Sequence, residues 1–489
     1  MVWTKEQRYR RIEEASEEEL LKLQSEVIGC EWRQTFHIQP ETGLLNDPNG
    51  FSYYNGEYHL FYQWFPLGPV HGLKYWYHTK SKDLVHWDNV GIGIQPTNQY
   101  DSHGAYSGSA VEHEGKLHLL YTGNTRDENW IRHPYQCLAI MDKTGGIKKW
   151  DQPVIQDVPM GYTDHFRDPK VWKKGNHFYA VIGAQRENNT GCIVLYRSED
   201  LLSWNFEGEL QTSLPSFGYM WECPDYFELQ EQGVLVFSPQ GLIPKGDEYQ
   251  NIYQSGYILG EPLDLKNRTL THGSFQELDR GFDFYAPQTM LDPDGRRILV
   301  GWMGLPEIDY PTDKSGWAHC LTLPRELSIR GGKLIQQPVK ELKELRKQLY
   351  AIRDVIFDEK KVYENFNGTS YEMVCEFENF NAEAFGVEFR AGKHEKTVVK
   401  YDASQNKVIL DRTLSGEPVG EPYGTERKCP VESSKIKFHL FVDISSVEIF
   451  INDGEEVFTS RIFPKADSKE IRFFAEGGRA LFQASKWDI

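Results

Sequence analysis

A turn glycine followed by an apolar, strand-like run recurs five times in the chain at a nearly constant spacing. The glycines lie at intervals of 59, 60, 58 and 62 residues, and they are Gly56, Gly115, Gly175, Gly233 and Gly295. A period of about sixty residues suits a four-stranded blade, and radial repetition of such blades builds a β-propeller. A second repeat, SKDLVHW at 81–87 and SEDLLSW at 198–204, recurs after 117 residues, or two periods. The sequence therefore predicts an all-β fold with a five-bladed β-propeller over residues 31–335.

The two ends of the chain have different patterns. Ser16 with the three glutamates after it resembles a capping box, and apolar residues follow at helical spacing, so residues 1–30 are predicted to form a helical extension. Apolar residues after Pro338 predict a linker helix over 336–354. Beyond it, runs such as YEMVCEFENF and IKFHLFVDISSVEIFIND alternate apolar and polar residues. That period of two predicts a C-terminal β-sandwich over 355–489.

Charge and composition exclude several classes of partner. The net charge is −18 and Lys/Arg blocks are absent, which argues against a nucleic-acid groove or an anionic membrane surface. No apolar run approaches the ~18 residues of a spanning helix, and the first residues lack the apolar stretch of a signal peptide. The seven cysteines show no CxxC spacing. We therefore expect a cytoplasmic protein without membrane or nucleic-acid partners. No feature of the sequence indicates an oligomeric state.

Four of the five repeated units begin with a proline preceded by a distinctive residue. The dipeptides are Asp47-Pro48, Asp168-Pro169, Cys223-Pro224 and Ala286-Pro287, and the second unit has Ser107-Gly108 instead. Taken alone, the stretch LLNDPNG at 44–50 could be a turn that bonds its own backbone. However, the first strand of each propeller blade lines the central channel, so equivalent positions converge. Asp47, Asp168 and Glu222 are thus expected to meet in one funnel, an arrangement of like charges that proteins keep mainly for function.

Paired carboxyl groups in a funnel rich in aromatic residues indicate glycoside hydrolysis, in which one carboxyl group is the acid and another the nucleophile. Calcium binding is the main chemical alternative, but no Asp-rich loop with ligands at alternating positions is present, so a metal is not expected. Apolar neighbours in sequence predict a protonated Glu222, and nearby amides predict an ionised Asp47. Arg167 is predicted to neutralise Asp168. Tyr285 and Trp302 offer flat apolar faces for sugar rings, with core packing as the alternative.

Four short stretches resemble the signature boxes of glycoside hydrolase family 32, the β-fructofuranosidases. They are LLNDPNG at 44–50, YSGSA at 106–110, FRDP at 166–169 and WECPD at 221–225. The resemblance spans nearly the whole chain and implies a five-bladed propeller with a β-sandwich, a retaining mechanism and no cofactor.

Roles for individual residues follow from the resemblance. It implies that Asp47 is the nucleophile, Glu222 the acid/base and Asp168 the transition-state stabiliser, with Asp47 and Glu222 roughly 5–5.5 Å apart, as retention requires. The resemblance also implies that Asn46, Gln63, Ser107, Arg167 and Trp302 line the fructose pocket. Tyr106 and Cys223, which belong to two of these boxes, are added as candidate substrate-binding residues.

The segment His71-Gly72-Leu73-Lys74 bears on the substrate. It departs from the Trp-Gly-Asn triplet of the invertases and resembles the bacterial sucrose-6-phosphate hydrolases of the family. Lys74 is predicted to place a cation for phosphate at the funnel mouth, with Arg126, Arg132 or Lys314 as alternatives. We expect a hydrolase whose small-molecule substrate is sucrose 6-phosphate by preference, and also sucrose.

Other functions remain open from the sequence. The chain could be an invertase or fructan exo-hydrolase without phosphate preference. A non-catalytic carbohydrate-binding propeller, or a related propeller that acts on arabinan or transfers fructosyl units, is disfavoured because NDPNG and ECPD occur together.

Overall fold

The computed structural model describes residues 3–489. Met1 and Val2, which begin the predicted N-terminal extension, lie outside the described residues. The rest of the chain folds into a five-bladed β-propeller followed by a β-sandwich, which confirms the predicted fold class.

Each of the first four blades is a sheet of four antiparallel strands in sequential order. Blades one and two contain β1 (Gly43–Tyr54), β2 (Glu57–Phe65), β3 (Tyr75–Ser81), β4 (Trp87–Ile94), β5 (Ala105–His113), β6 (Lys116–Arg126), β7 (Arg132–Met141) and β8 (Ile147–Lys149). Blades three and four contain β9 (Tyr162–Lys174), β10 (His177–Arg186), β11 (Gly191–Ser198), β12 (Trp204–Glu209), β13 (Met220–Leu229), β14 (Gln232–Gln240), β15 (Gly256–Gly260) and β16 (Gln276–Glu277).

The fifth blade also closes the ring. Its strands are β17 (Tyr285–Leu291), β18 (Arg297–Met303), β19 (Trp317–Ala318), β20 (Cys320–Leu321), β21 (Arg325–Arg330) and β22 (Lys333–Pro338). Short β19 leaves this blade and pairs in parallel with β1, with Gly43 opposite Trp317 and Leu44 opposite Ala318. The inner strands β1, β5, β9, β13 and β17 contact one another around the channel. The last blade is thereby fastened to the first.

Four of the five repeated glycines occupy the turns between the first two strands of their blades, and all four have a positive φ. Gly233 is the exception, because it lies within β14 and the turn there is formed by Gln230 and Glu231 with φ of 48° and 64°. A Cβ at Gly233 would lie 2.5 Å from the carbonyl oxygen of Glu261, so this glycine is needed for close packing. The repeat therefore predicted the blade correctly, but Gly233 is required for close packing within a strand and not for a turn.

Two helices and a 3₁₀ turn precede the propeller: α1 (Lys5–Arg8), the turn Ile12–Glu14 and α2 (Glu17–Ile28). Ser16 caps α2 by accepting a hydrogen bond from the Glu19 backbone. Another 3₁₀ helix, Pro311–Ser315, precedes β19. The linker predicted as a helix over 336–354 is a six-residue 3₁₀ helix, Lys340–Leu345, because β22 continues to Pro338 and the β-forming run LYAIRDVIF already belongs to the sandwich.

The sandwich is built from ten antiparallel strands, with a short 3₁₀ turn at Glu421–Tyr423. They are β23 (Leu349–Asn367), β24 (Tyr371–Asn379), β25 (Ala384–Ala391), β26 (Lys396–Asp402), β27 (Lys407–Leu414), β28 (Glu426–Pro430), β29 (Lys435–Asp443), β30 (Ser446–Ile451), β31 (Glu456–Arg461) and β32 (Glu470–Asp488). Long β32 pairs first with β25 and then with β24, so it passes from one half of the sandwich to the other. Its aromatic and aliphatic side chains fill a core between the halves.

Buried charges join the propeller to the sandwich. Arg325 of β21 donates to Glu448 of β30 at 2.7 Å and to Asp279 at 3.1 Å, and all three side chains are buried. A buried charge is tolerated only when its partners satisfy it, so this contact fixes how the two domains meet. No helix from Trp3 onward is both long and apolar enough to cross a bilayer.

Candidate active site

All five inner strands share an irregularity at the position of the predicted dipeptides. The strand pairing of each inner strand shifts there, as a β-bulge does. Asp168, Cys223 and Ala286 adopt φ of 66°, 50° and 49°. A bulge re-aims the side chains of a strand, and a non-glycine residue in the left-handed region costs roughly 1–3 kcal/mol. The bulges turn these side chains towards one end of the channel.

That end opens into a pocket of about 380 Å³. Of the predicted site residues, those lining it are Asn46, Asp47, Gln63, His71, Lys74, Tyr106, Arg167, Asp168, Glu222, Tyr285 and Trp302. The remaining two, Ser107 and Cys223, line a small adjoining cavity that shares Asp168 with the pocket. The structure thus brings together every residue that the sequence singled out for the pocket.

Asp47 is held by short polar contacts. Oδ1 accepts from Asn46 Nδ2 at 3.1 Å, while Oδ2 accepts from Gln63 Nε2 at 3.3 Å and from the Ser107 hydroxyl. Burial nevertheless raises the pKa of Asp47, and the charge of Glu222 adds to the effect, although the Ser107 and Asn46 hydrogen bonds oppose it. The Asn46 donor favours the carboxylate, as the sequence predicted, but desolvation outweighs it in the shift of the pKa.

Glu222 lies among polar groups, and the predicted apolar setting is wrong. Arg167 Nε and Nη2 donate to Oε1 at 2.8 and 2.7 Å, while Gln240 Nε2 and the Tyr285 hydroxyl donate to Oε2 at 2.7 and 2.6 Å. Neighbouring side chains of a strand point to opposite faces, so Trp221 packs into the blade core instead. Arg167 was predicted to neutralise Asp168; its side-chain hydrogen bonds are instead with Glu222 and His165, although its charge still lowers the pKa of Asp168.

Asp168 is 5% exposed and lines the same pocket as the other two carboxyl groups. Its Oδ2 accepts from the Cys223 backbone N–H at 3.0 Å. The Cys223 thiol bridges two acids, with Sγ 3.6 Å from Asp168 Oδ2 and 3.7 Å from Asp47 Oδ2. Burial raises the pKa of Asp168 to about 7; Arg167 opposes this, and Glu222 and Asp47 reinforce it. Asp168 therefore holds its proton more tightly than a solvent-exposed aspartate does.

Lys74 does not lie at the funnel mouth as predicted. It is 3% exposed, and its Nζ donates to Asn46 Oδ1 at 2.7 Å. Burial lowers the pKa of Lys74 to about 7, although Asp47 opposes the change. Because β3 begins at Tyr75, the preceding loop directs Lys74 inwards, where it orients Asn46.

His71 and Trp302 form one wall, with ring centroids 5.9 Å apart and ring planes inclined at 66° in an edge-to-face contact. Burial and neighbouring cations lower the pKa of His71 well below its usual range, so the ring is neutral. Trp302 is almost fully buried, and its Nε1 lacks a partner in the described part of the chain.

Sequence reasoning did not place several further residues in this pocket: Tyr9, His165, Tyr219, Gln240, Tyr253, Pro306 and Glu307. Gln240 has a recoverable signal, because it ends the strand that pairs with the Glu222 strand. Tyr9 has none, since it belongs to the N-terminal extension, where Leu73 N–H donates to Arg8 O at 2.7 Å.

Comparison with known proteins agrees with this architecture. Residues 37–338 match the family description "Glycosyl hydrolases family 32 N-terminal domain", and residues 341–488 match "Glycosyl hydrolases family 32 C terminal". The chain is 48% identical to a sucrose-6-phosphate hydrolase of Staphylococcus xylosus, covering 100% of this chain and 98% of that one. It is 44% identical to the Bacillus subtilis sucrose-6-phosphate hydrolase, covering 91% and 92%.

Solved structures show the same likeness. The sucrose-6-phosphate hydrolase of Lactobacillus gasseri superposes with a TM-score of 0.94 at 40% identity, covering 100% of this chain and 99% of the other. A Bombyx mori β-fructofuranosidase solved in complex with sucrose gives a TM-score of 0.83 at 34% identity, covering 96% of each chain.

The propeller and its pocket of three carboxyl groups define a glycoside hydrolase. More specifically, the chain belongs to glycoside hydrolase family 32.

Proposed function

We propose that the chain is a retaining β-fructofuranosidase that hydrolyses sucrose 6-phosphate by preference, and also sucrose. The observation that carries the proposal is that Asp47, Asp168 and Glu222, from three different blades, open into one pocket. The names of the Staphylococcus xylosus and Bacillus subtilis relatives support the phosphorylated substrate. A phosphorylated disaccharide is a metabolite of the cell interior, so the proposal includes the cytoplasm as the site of action.

In the first step, Asp47 attacks the anomeric carbon of the fructosyl unit. The bond to the glycosidic oxygen breaks, its electron pair stays on that oxygen, and Glu222 supplies the proton that completes the leaving glucosyl hydroxyl. Burial, reinforced by the charges of Glu222 and Asp47, raises the pKa of Asp168 to about 7, which favours a proton retained among the three carboxyl groups. Asn46 and Ser107 hold Asp47 in place by hydrogen bonds.

In the second step, Glu222 removes a proton from water, the water oxygen attacks the anomeric carbon, and Asp47 leaves as the carboxylate. Arg167, Gln240 and Tyr285 donate hydrogen bonds to both oxygens of Glu222 and so hold this carboxyl group in place for the step. Asp168 is positioned to bond fructosyl hydroxyls as positive charge develops on the sugar ring.

The test is to measure kcat/KM on sucrose 6-phosphate, sucrose and a fructan, together with the anomer of fructose first released, observed by NMR. We expect hydrolysis of both disaccharides, faster for the phosphorylated one, with retained configuration. Equal values on the two disaccharides would indicate an invertase without phosphate preference. Faster hydrolysis of the fructan would indicate an exo-hydrolase, and an inverted product would exclude Asp47 as nucleophile.

A further inference from the structure

Three cationic side chains line the pocket, and two of them are engaged by protein groups. Lys74 bonds to Asn46 and Arg167 bonds to Glu222. The third is Arg132, whose buried Nε has no hydrogen-bond partner among residues 3–489. A buried, unsatisfied donor is costly in the free protein, so it marks a position where a ligand can supply an acceptor.

Arg132 begins β7 and lies directly opposite Arg126, the last residue of β6. Arg126 Nη1 donates to Trp130 O at 2.9 Å, and its Nε also lacks a partner in the described chain. Like charges opposite each other on paired strands are destabilising unless an anion compensates them. Asp127, in the connecting loop, does not compensate them, because its carboxylate accepts from the Asn129 and Ile131 backbone and from His133.

Other groups around Arg132 are neutral or weakly compensating. Burial and the charges of Arg167 and Arg126 lower the pKa of Arg132, while Tyr106 and Asp164 oppose the change. Burial and the neighbouring arginines lower the pKa of His165 to about 4, so this ring stays neutral. In a chain of net charge −18, this side of the pocket is therefore locally positive.

The position of Arg132 also indicates which part of the substrate it faces. Arg132 lies on the side of Arg167, whose guanidinium holds Glu222. Glu222 protonates the leaving oxygen in the proposed mechanism, so the leaving glucosyl unit lies on this side. A phosphate on that unit carries nearly two negative charges at neutral pH, and an arginine fork matches its oxygens.

We propose that Arg132, with Arg126 behind it, binds the 6-phosphate of the glucosyl unit and sets the preference for a phosphorylated disaccharide. The inference rests on the proposed function and replaces Lys74 as the predicted phosphate ligand. Tyr9 lines the same pocket, so the N-terminal extension contributes to the surroundings of this subsite.

The first test compares kcat/KM on sucrose 6-phosphate and on sucrose for the wild type, Arg132→Gln, Arg132→Lys and Arg353→Gln. Arg353 is exposed on sandwich strand β23, so its replacement changes the net charge equally. We expect Arg132→Gln to lower the value on sucrose 6-phosphate about 10- to 100-fold more than the value on sucrose. Arg132→Lys restores part of the loss, and Arg353→Gln leaves the ratio at the wild-type level. A thermal unfolding midpoint for each variant verifies folding.

The second test uses glucose 6-phosphate and glucose as inhibitors of sucrose hydrolysis. We expect glucose 6-phosphate to inhibit the wild type more strongly than glucose does, and Arg132→Gln to remove the difference. If the wild type and Arg132→Gln prefer sucrose 6-phosphate to the same degree, the phosphate subsite at Arg132 is wrong and the proposed function stands. If the wild type does not prefer sucrose 6-phosphate, both the subsite and the proposed substrate are wrong. If the wild type hydrolyses neither sugar, the proposed function is wrong.

Discussion

His37, ahead of the first propeller strand, and Asp443, in the sandwich, share a buried hydrogen bond of 2.8 Å between Nδ1 and Oδ2. Nε2 of the same ring lies 3.0 Å from Glu448 Oε1. Burial disfavours the charged ring, but the hydrogen bonds with both carboxylates outweigh it and raise the pKa of His37 to about 9. The ring is therefore charged at neutral pH and links the two domains.

This link predicts a loss of stability in mild alkali. The unfolded histidine titrates near pH 6.5, so the stabilisation is complete below that pH and is lost as pH rises through about 9. The corresponding free energy is about 3 kcal/mol. Calorimetric unfolding midpoints between pH 6 and 10 measure it. His37→Gln should lower the unfolding midpoint at pH 6, since breaking a buried pair costs about 3–5 kcal/mol. In this variant the midpoint should also fall less between pH 6 and pH 10, because the titrating ring is gone. Exposed His86→Gln is the control, and an equal decline in His37→Gln and wild type would contradict the prediction.

Asp47→Asn should abolish turnover while sparing binding. The amide keeps the shape of the side chain but cannot attack the anomeric carbon, so kcat should fall by roughly 10⁴-fold or more. Calorimetric titration with sucrose should still show binding. Exposed Asp151→Asn serves as the control for the loss of one carboxylate. Activity near the wild-type level in Asp47→Asn would assign the nucleophile elsewhere.

Ser107→Ala should move the acid limb of the pH profile. The Ser107 hydroxyl donates to Asp47 Oδ2 and lowers the pKa of Asp47. Without it that pKa rises further, so the acid limb of kcat/KM for sucrose should shift to higher pH. Ser52→Ala is a suitable control, because its hydroxyl bonds the Gly50 carbonyl and contacts no carboxylate in the chain from residue 3 onward. An unmoved limb would show that this hydrogen bond does not tune Asp47.

Lys74→Met should lower activity on phosphorylated and plain sucrose by the same factor. Its ammonium group bonds Asn46 next to the nucleophile, so its loss disturbs the fructosyl side, which both substrates share. The measurement is the ratio of the two kcat/KM values, with Arg132→Gln as the contrasting variant. A ratio that falls in Lys74→Met would return the phosphate contact to Lys74.

Gly72→Ala should detach the N-terminal extension from the pocket. A Cβ at this position would lie 2.2 Å from the Arg8 carbonyl oxygen, which also accepts from Leu73 N–H. We expect faster amide exchange in residues 3–15 and a KM that rises more than kcat falls, because Tyr9 moves out of the pocket. Gly273→Ala is the control, since the only neighbour of its Cβ in the described structure is 3.8 Å away. Unchanged exchange in Gly72→Ala would show that the extension accommodates the methyl group.

The fold and the membership of the pocket could be predicted from the sequence because both follow from periodicity. Equivalent positions of a propeller converge by geometry, so Asp47 and Asp168 meet although they are far apart in sequence. The electrostatics could not be predicted in this way. Glu222 has apolar neighbours along the chain, but its hydrogen-bond partners come from three other strands.

The positions of Lys74 and Tyr9 also could not be predicted from the sequence. A lysine in a loop is usually solvated, and only the structure shows that Lys74 is buried and that Arg8 of the extension bonds to the adjacent Leu73. The extension that carries Tyr9 has no periodic relation to the blades, so no pattern could assign it to the pocket. Contacts between unrelated segments require the structure.

The parallel pairing of β1 with β19 has a consequence for biosynthesis. About 270 residues separate Gly43 from Trp317, so translation at about 5–20 residues per second leaves β1 without its parallel neighbour for roughly 15–55 s. During that interval the nascent chain exposes an apolar edge that a chaperone can hold. Trp302, a wall of the pocket, also emerges late, and the sandwich partners of His37 emerge later still. The last wall of the pocket is therefore added only once β18 has been made, and the buried link to the sandwich forms only near the end of synthesis.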